Sequence, residues 1–189
     1  MNDLPDAVRE AAIAHLWNLE RPTDRRAPYL YALLDAAQDE RIHETLCAHE
    51  EEWRILPLYE GRAADELAAV APYLVALDPE LRVFDWLWRD GWGKGWGIFL
   101  WSLSTMDTIR SHLRRLTRVK TEDGEVLLFR FYDPRVLETV LPVLDERQLA
   151  EVFGTVVQRV VFDDGTEVGF VEFHLTNGKL RARSMQNDV

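Results

Sequence analysis

The chain has 189 residues, 47% of them hydrophobic, with 33 acidic against 22 basic side chains and a net charge of −11 at pH 7. Such a chain is long and apolar enough to bury a core, which excludes a disordered or collagen-like polymer. The acidic balance disfavours binding to a phosphate backbone, so nucleic acid is not an expected partner.

Residues 4–20, LPDAVREAAIAHLWNLE, place Val8, Ala12 and Leu16 four apart, the spacing of an amphipathic helix, and RPTDRRAP follows as a proline-bounded connector. YLYALLD, Tyr29 to Asp35, is short and apolar on both faces, the pattern of a buried central strand. The next stretch carries Ile42 and Leu46 on one helical face, and EWRILPLYEG is a second strand that Pro57 pushes toward a sheet edge. Ala63–Val70 reads as a helix, APYLVAL as a strand, LRVFDWLWRD as a helix and GIFLWSL as a strand. Met106, Ile109, Leu113 and Leu116 then mark a helix.

Beyond it, VKTEDGEVLLFRFYD predicts a hairpin turning at Asp123-Gly124, followed by helical signals over Pro134–Leu144 and Glu146–Phe153. The last segment has turn dipeptides at Asp164-Gly165 and Asn177-Gly178 and predicts a three-stranded meander. Strands alternating with helices through residue 120 imply an α/β fold: a mixed, largely parallel sheet flanked by helices, with an N-terminal helix and a C-terminal antiparallel β meander. The implied organisation is a helical appendage and connector at 1–27, an α/β core at 28–154 and the meander at 155–189.

Cys47 is the single cysteine, so no intrachain disulfide can form, as suits a reducing compartment. MNDLPDAVRE lacks the basic and apolar regions of a signal peptide, and no apolar run reaches the roughly 18 residues of a membrane span. A soluble cytoplasmic protein without a membrane partner is expected.

Motifs for chemistry are weak. GWGKGWG, Gly91–Gly97, fits neither a P-loop nor a dinucleotide fingerprint in spacing, and it enters a strand instead of leaving one. His43, Cys47 and His49 sit close in HETLCAHEE, but Cys47 stands where a zinc-protease helix needs its second histidine. Ser102 and Ser104 lack the glycines of a nucleophile elbow. A Cys47–His pair with a distant partner stays open, though no local signature supports it. No catalytic residue, cofactor or metal is expected.

Seven tryptophans are present, five of them at positions 86, 88, 92, 96 and 101, and core burial is the default for each. Trp92 and Trp96, flanked by glycines, are expected nearest the surface. Charge is sorted as well: ten acids lie between Asp35 and Leu67's neighbour Ala68 against Arg41, Arg54 and Arg62, whereas Arg110, Arg114, Arg115, Arg118 and Lys120 follow Ile109 with no acid among them. Such runs usually coat solvated helices, but opposed patches also steer protein partners. Trp92, Trp96, Arg110, Arg114, Arg115 and Arg118 are the candidate partner surface.

In FRFYDPRVL, Phe129–Leu137, a strand would send Phe129 and Phe131 to one face and Arg130 and Tyr132 to the other. Asp133 then caps a helix that begins at Pro134, and Arg130, Tyr132, Asp133, Pro134 and Arg135 make up the structural motif. Arg130 is near enough to fork onto Asp133 or a nearby carbonyl, which makes the segment a structural joint.

FRFYDPRVL, with YALLDAA, LYEG, APYLVAL, GIFLWS, LRRL and LPVLDERQLAEVFG in order from Tyr29 to Gly154, resembles the adaptor family of bacterial type VI secretion. That resemblance implies a cytoplasmic chaperone, without catalysis or cofactor, that binds a cognate toxic effector and helps load it onto the VgrG spike. The helical preface and the meander lie outside the matched fragments. The rival readings are a structural subunit of a larger assembly and, third, a small hydrolase with residues assembled in space.

Overall fold

The computed structural model describes residues 29–77, 82–120, 123–166 and 169–185; the helix expected at residues 4–20 and its connector lie outside them. The strands are β1 (Tyr29–Asp35), β2 (Ile55–Pro57), β3 (Pro72–Leu77), β4 (Gly97–Ser102), β5 (Arg118–Lys120), β6 (Val126–Leu128), β7 (Val157–Asp163), β8 (Phe170–Thr176) and β9 (Lys179–Met185). The helices are α1 (Glu40–Ala48), α2 (Arg62–Glu66), α3 (Arg82–Trp86), α4 (Met106–Leu116), α5 (Pro134–Val140) and α6 (Glu146–Phe153).

Seven strands form one sheet in the order β2-β3-β1-β4-β7-β8-β9, and every neighbouring pair is antiparallel. The largely parallel sheet inferred from strand–helix alternation is therefore not the fold. The physical reason is strand insertion. β1 and β2, joined through α1, do point the same way, but β3 lies between them; β3 and β4, joined through α3, also agree in direction, but β1 separates them. Each crossover skips one position, and an oppositely directed strand fills the gap. The helices are few and short, from five to eleven residues.

Alternation along the strands sends side chains to two cores. Leu30, Ala32 and Leu34 of β1 join Ile42 and Leu46 of α1, Phe84 of α3 and the tryptophans 53, 86, 88, 92, 96 and 101 on one face. Tyr31 and Leu33 point the other way, to Ile109 and Leu113 of α4, Leu137 of α5, and Leu149 and Phe153 of α6. A strand buried on both faces carries no alternation of polarity, which is why YLYALLD is uniformly apolar.

Local signals placed many boundaries. Asp39 caps α1 through the Arg41 N–H at 3.1 Å. Asp145 and Gln148 form a reciprocal capping box on α6, at 2.8 and 3.0 Å. Pro57 lies in the three-residue edge strand β2. Asn177 and Gly178, at φ of 52° and 76°, form the two-residue turn between β8 and β9. After α3 the chain widens into a π-helical turn, Leu87–Gly91, closed by the Trp92 N–H donating to the Leu87 carbonyl at 2.9 Å.

Candidate partner-binding surface

Asp133 behaves as the sequence predicts. Its backbone is extended, its carboxylate accepts from the Arg135 N–H at 3.1 Å, and Pro134 occupies the first turn of α5, where a missing N–H costs nothing. The Arg135 guanidinium closes onto the same carboxylate at 2.7 and 2.9 Å.

The chain before the cap differs from expectation. β6 ends at Leu128, and residues 131–133 turn, with the Asp133 N–H donating to the Arg130 carbonyl at 3.0 Å. Phe131 and Tyr132 consequently do not alternate faces: both are buried in the same core, at 2% and 1% exposure, with rings packed edge to face at 5.5 Å. Arg130 pairs with Asp35 at the end of β1, not with Asp133. Asp35 is fully buried and also accepts from the Ala37 N–H and the Gln38 amide, each at 3.1 Å. Gln38 bridges onward to Asp133 at 3.3 Å and accepts from Arg135 at 3.1 Å. Two buried carboxylates, two arginines and one amide thus weld the β1–α1 turn to the start of α5.

Burial pushes the Asp133 carboxyl up, but the hydrogen bonds and charge of Arg135, aided by Arg130, outweigh it and hold the group below its ordinary value. Because the folded value is lowered, the stabilisation is complete above the unfolded value of 3.8 and is lost as pH falls through the folded one. Asp133→Asn keeps a capping oxygen and removes the charge. With Arg135 largely exposed, the pair contributes about 0.5–1 kcal/mol after screening. We expect wild type to melt above D133N at pH 7, and the gap to close below about pH 4, in circular-dichroism melts.

The six tryptophans among the described residues settle as core. Trp92 and Trp96, expected nearest the surface, are 8% and 4% exposed. The glycines around them let the chain turn tightly so that both rings fold inward; Trp92 packs on Trp88 at 4.5 Å and Phe99 at 5.8 Å, and Trp96 on Trp86 at 5.4 Å. Arg41 and Lys94 stand over the Trp96 ring, their cations 5.4 and 5.6 Å from its centre.

The arginines of α4 divide. Arg110 donates to the Pro57 carbonyl at 2.7 Å and to Glu60 at 3.0 Å, and Arg114 pairs with the same Glu60 oxygen. Arg115 donates to Nδ1 of the buried His112 at 3.3 Å, while His112 Nε2 donates to the Val152 carbonyl at 2.7 Å, which fixes the neutral Nε2–H tautomer. Arg118 is exposed on the rim of an open cleft of about 280 Å³, whose lining includes Leu58, Ala63, Leu67, Leu128 and Arg114. One glutamate facing two arginines, with Arg118 beside them, leaves the rim positive.

The hairpin expected at Asp123-Gly124 forms next to this cleft, but its exposed apolar face was not foreseen. β5 and β6 form their own two-stranded sheet, tied to α4 by the Phe129 N–H donating to the Thr117 carbonyl at 2.9 Å. A lone pair of strands cannot cover both its faces, so Val119, Val126, Leu127 and Leu128 remain 41–65% exposed. The available signal was VLLF itself, an unbroken apolar run in a hairpin too short to enter a sheet.

His43 and Cys47 stand 3.5 Å apart on α1, Cys47 being exposed, whereas His49 is turned away, bonded to the Thr45 carbonyl and stacked on Trp53 at 4.2 Å. Among the described residues no three His, Cys, Asp or Glu side chains gather as metal ligands, and no helix is long and apolar enough to cross a membrane.

A seven-stranded antiparallel sheet with a core on each face of its central strands, flanked by short helices, a basic-rimmed cleft and an apolar hairpin, defines a scaffold of the α+β class. The chain belongs to the family described as Domain of unknown function (DUF4123), matched over residues 30–151, and this is the type VI secretion adaptor family that its motifs resemble. It is 28% identical over 123 residues to accessory protein VasW of Vibrio cholerae serotype O1 (strain ATCC 39315 / El Tor Inaba N16961), an alignment covering 62% of this chain and 40% of that relative. The chain thus spans less than half the length of the relative. No solved structure matches it.

Proposed function

We propose that this protein is a type VI secretion adaptor that binds a cognate toxic effector in the cytoplasm and helps place it on the VgrG spike, acting through surfaces and without catalysis. The observation that carries the reading is the cleft between α2, α4 and the β5–β6 hairpin: an apolar floor, a positive rim and exposed leucines, all within the family-matched residues. Large apolar side chains exposed together beside cations are what interface centres use. Arg110, Arg114 and Arg118 belong to this face, with Arg115 next to it on α4; the effector's own specificity elements are assigned to residues 1–27 and 155–189, outside the 28–154 core.

The test is co-purification with the effector encoded beside this protein. Leu128→Asp with Arg118→Glu, exposed cross-strand partners in the β5–β6 hairpin and outside the seven-stranded sheet, should weaken effector binding at least tenfold, about 1.4 kcal/mol or more, with the circular-dichroism spectrum of the main sheet retained. Deleting the protein should stop delivery of that effector and of no other. Undiminished capture by the double variant would remove the cleft from the proposal, and normal delivery without the protein would remove the function.

A further inference from the structure

The two ends of the seven-stranded sheet are unlike. β2 is three residues long and contains Pro57, a blunted edge that offers little to pair with. β9 runs seven residues from Lys179 to Met185 without proline, in unbroken register with β8, and among the described residues no strand pairs with its outer side.

The turn fixes which backbone groups face outward. Asn177-Gly178 is a two-residue turn with positive φ at both positions, so Thr176 and Lys179 are the hydrogen-bonded pair that closes it. Pairs then alternate: His174 with Arg181 and Glu172 with Arg183 exchange bonds, and the N–H and C=O groups of Leu180, Ala182 and Ser184 point away from the sheet. Ala182 and Ser184 are exposed, and Leu180 is half-buried.

Charge selects what can pair there. Lys179, Arg181 and Arg183 lie on one face of β9, exposed, in a protein of net charge −11. A second copy adding antiparallel would set these cations against themselves, which is unfavourable. A strand with carboxylates at alternate positions would meet them across the new ladder.

We infer that β9 is a docking edge for an extended acidic segment of a partner protein, which adds an eighth strand through the backbone of Leu180, Ala182 and Ser184 and is registered by Lys179 and Arg181, Arg183 being opposite Glu172 in the β8–β9 ladder. This surface lies outside the family-matched span and stands or falls independently of the cleft.

The probe is a capped nine-residue peptide alternating Glu with Val, against the same peptide with Lys for Glu, read by fluorescence anisotropy and amide exchange on the full chain. The acidic peptide should bind, the basic one should not, and protection should rise at the amides of 180, 182 and 184 while 179, 181 and 183 are protected beforehand. Ala182→Pro removes an outward N–H without touching the β8–β9 ladder, and should cut binding at least tenfold with the melting temperature nearly unchanged. If that variant folds poorly, Lys179→Glu with Arg181→Glu decides: it should lose the acidic peptide and gain the basic one. Binding that survives these changes, protection appearing elsewhere, absence of binding, or dimerisation through β9 would each overturn the assignment.

Discussion

Replacing Gly97 with alanine should be among the most damaging single-methyl changes in this protein. Gly97 opens β4 opposite Leu34 of β1, and a Cβ there would land on the Leu33 carbonyl oxygen, with Leu33 C and Leu34 Cα each at 2.9 Å. Those atoms are backbone of β1, an interior strand of the sheet, so no side chain can swing aside. The cost comes from space, because Gly97 has no left-handed backbone. We expect destabilisation of about 3 kcal/mol or more, the upper range for overpacking. In a chain of this length that lowers the melting temperature by about 6–12 °C, readable by calorimetry. Gly95→Ala is the control: its φ is +63° and nothing lies within 4 Å of the added carbon, so only backbone strain of about 1–2 kcal/mol opposes it.

Tyr132→Ala should cost about 3–5 kcal/mol, the range for emptying a buried aromatic site. Tyr132 is among the largest fully buried side chains and packs on Phe131 in the core beneath α5. Tyr132→Phe should cost little, about 1 kcal/mol or less, because the hydroxyl has only the Tyr59 hydroxyl at a long 3.5 Å. Burial raises the Tyr132 pKa well above its ordinary value, so the phenol stays neutral and its loss brings no pH dependence. Urea unfolding should show a large fall in midpoint for the alanine variant and a small one for phenylalanine, with equal slopes. Similar losses for both would mean that the hydroxyl, not the ring, holds the joint.

The RFYDPR joint shows where sequence reasoning ends. Asp133 and Pro134 were legible as cap and first helical residue because a cap bonds within three residues. Arg130's partner was not, since Asp35 is 95 positions away and sequence offered the nearer Asp133. The candidate surface divides likewise: Arg110, Arg114 and Arg118 were visible as a basic run, but the cleft they border needs Leu58, Leu67 and Leu128 from three other segments.

By itself the sequence determined the order of most strands, helices and turns, through apolar spacing, the cap at Asp133, and the Asp-Gly and Asn-Gly turns, since each acts over a few residues. Its ordered motifs also pointed to the family. Tertiary structure alone decided which strands are neighbours, turning an apparent parallel sheet into an antiparallel one, and it alone put Trp92 and Trp96 inside. Sheet order and burial are set by contacts between distant segments competing for the same core, and no local pattern records the winner.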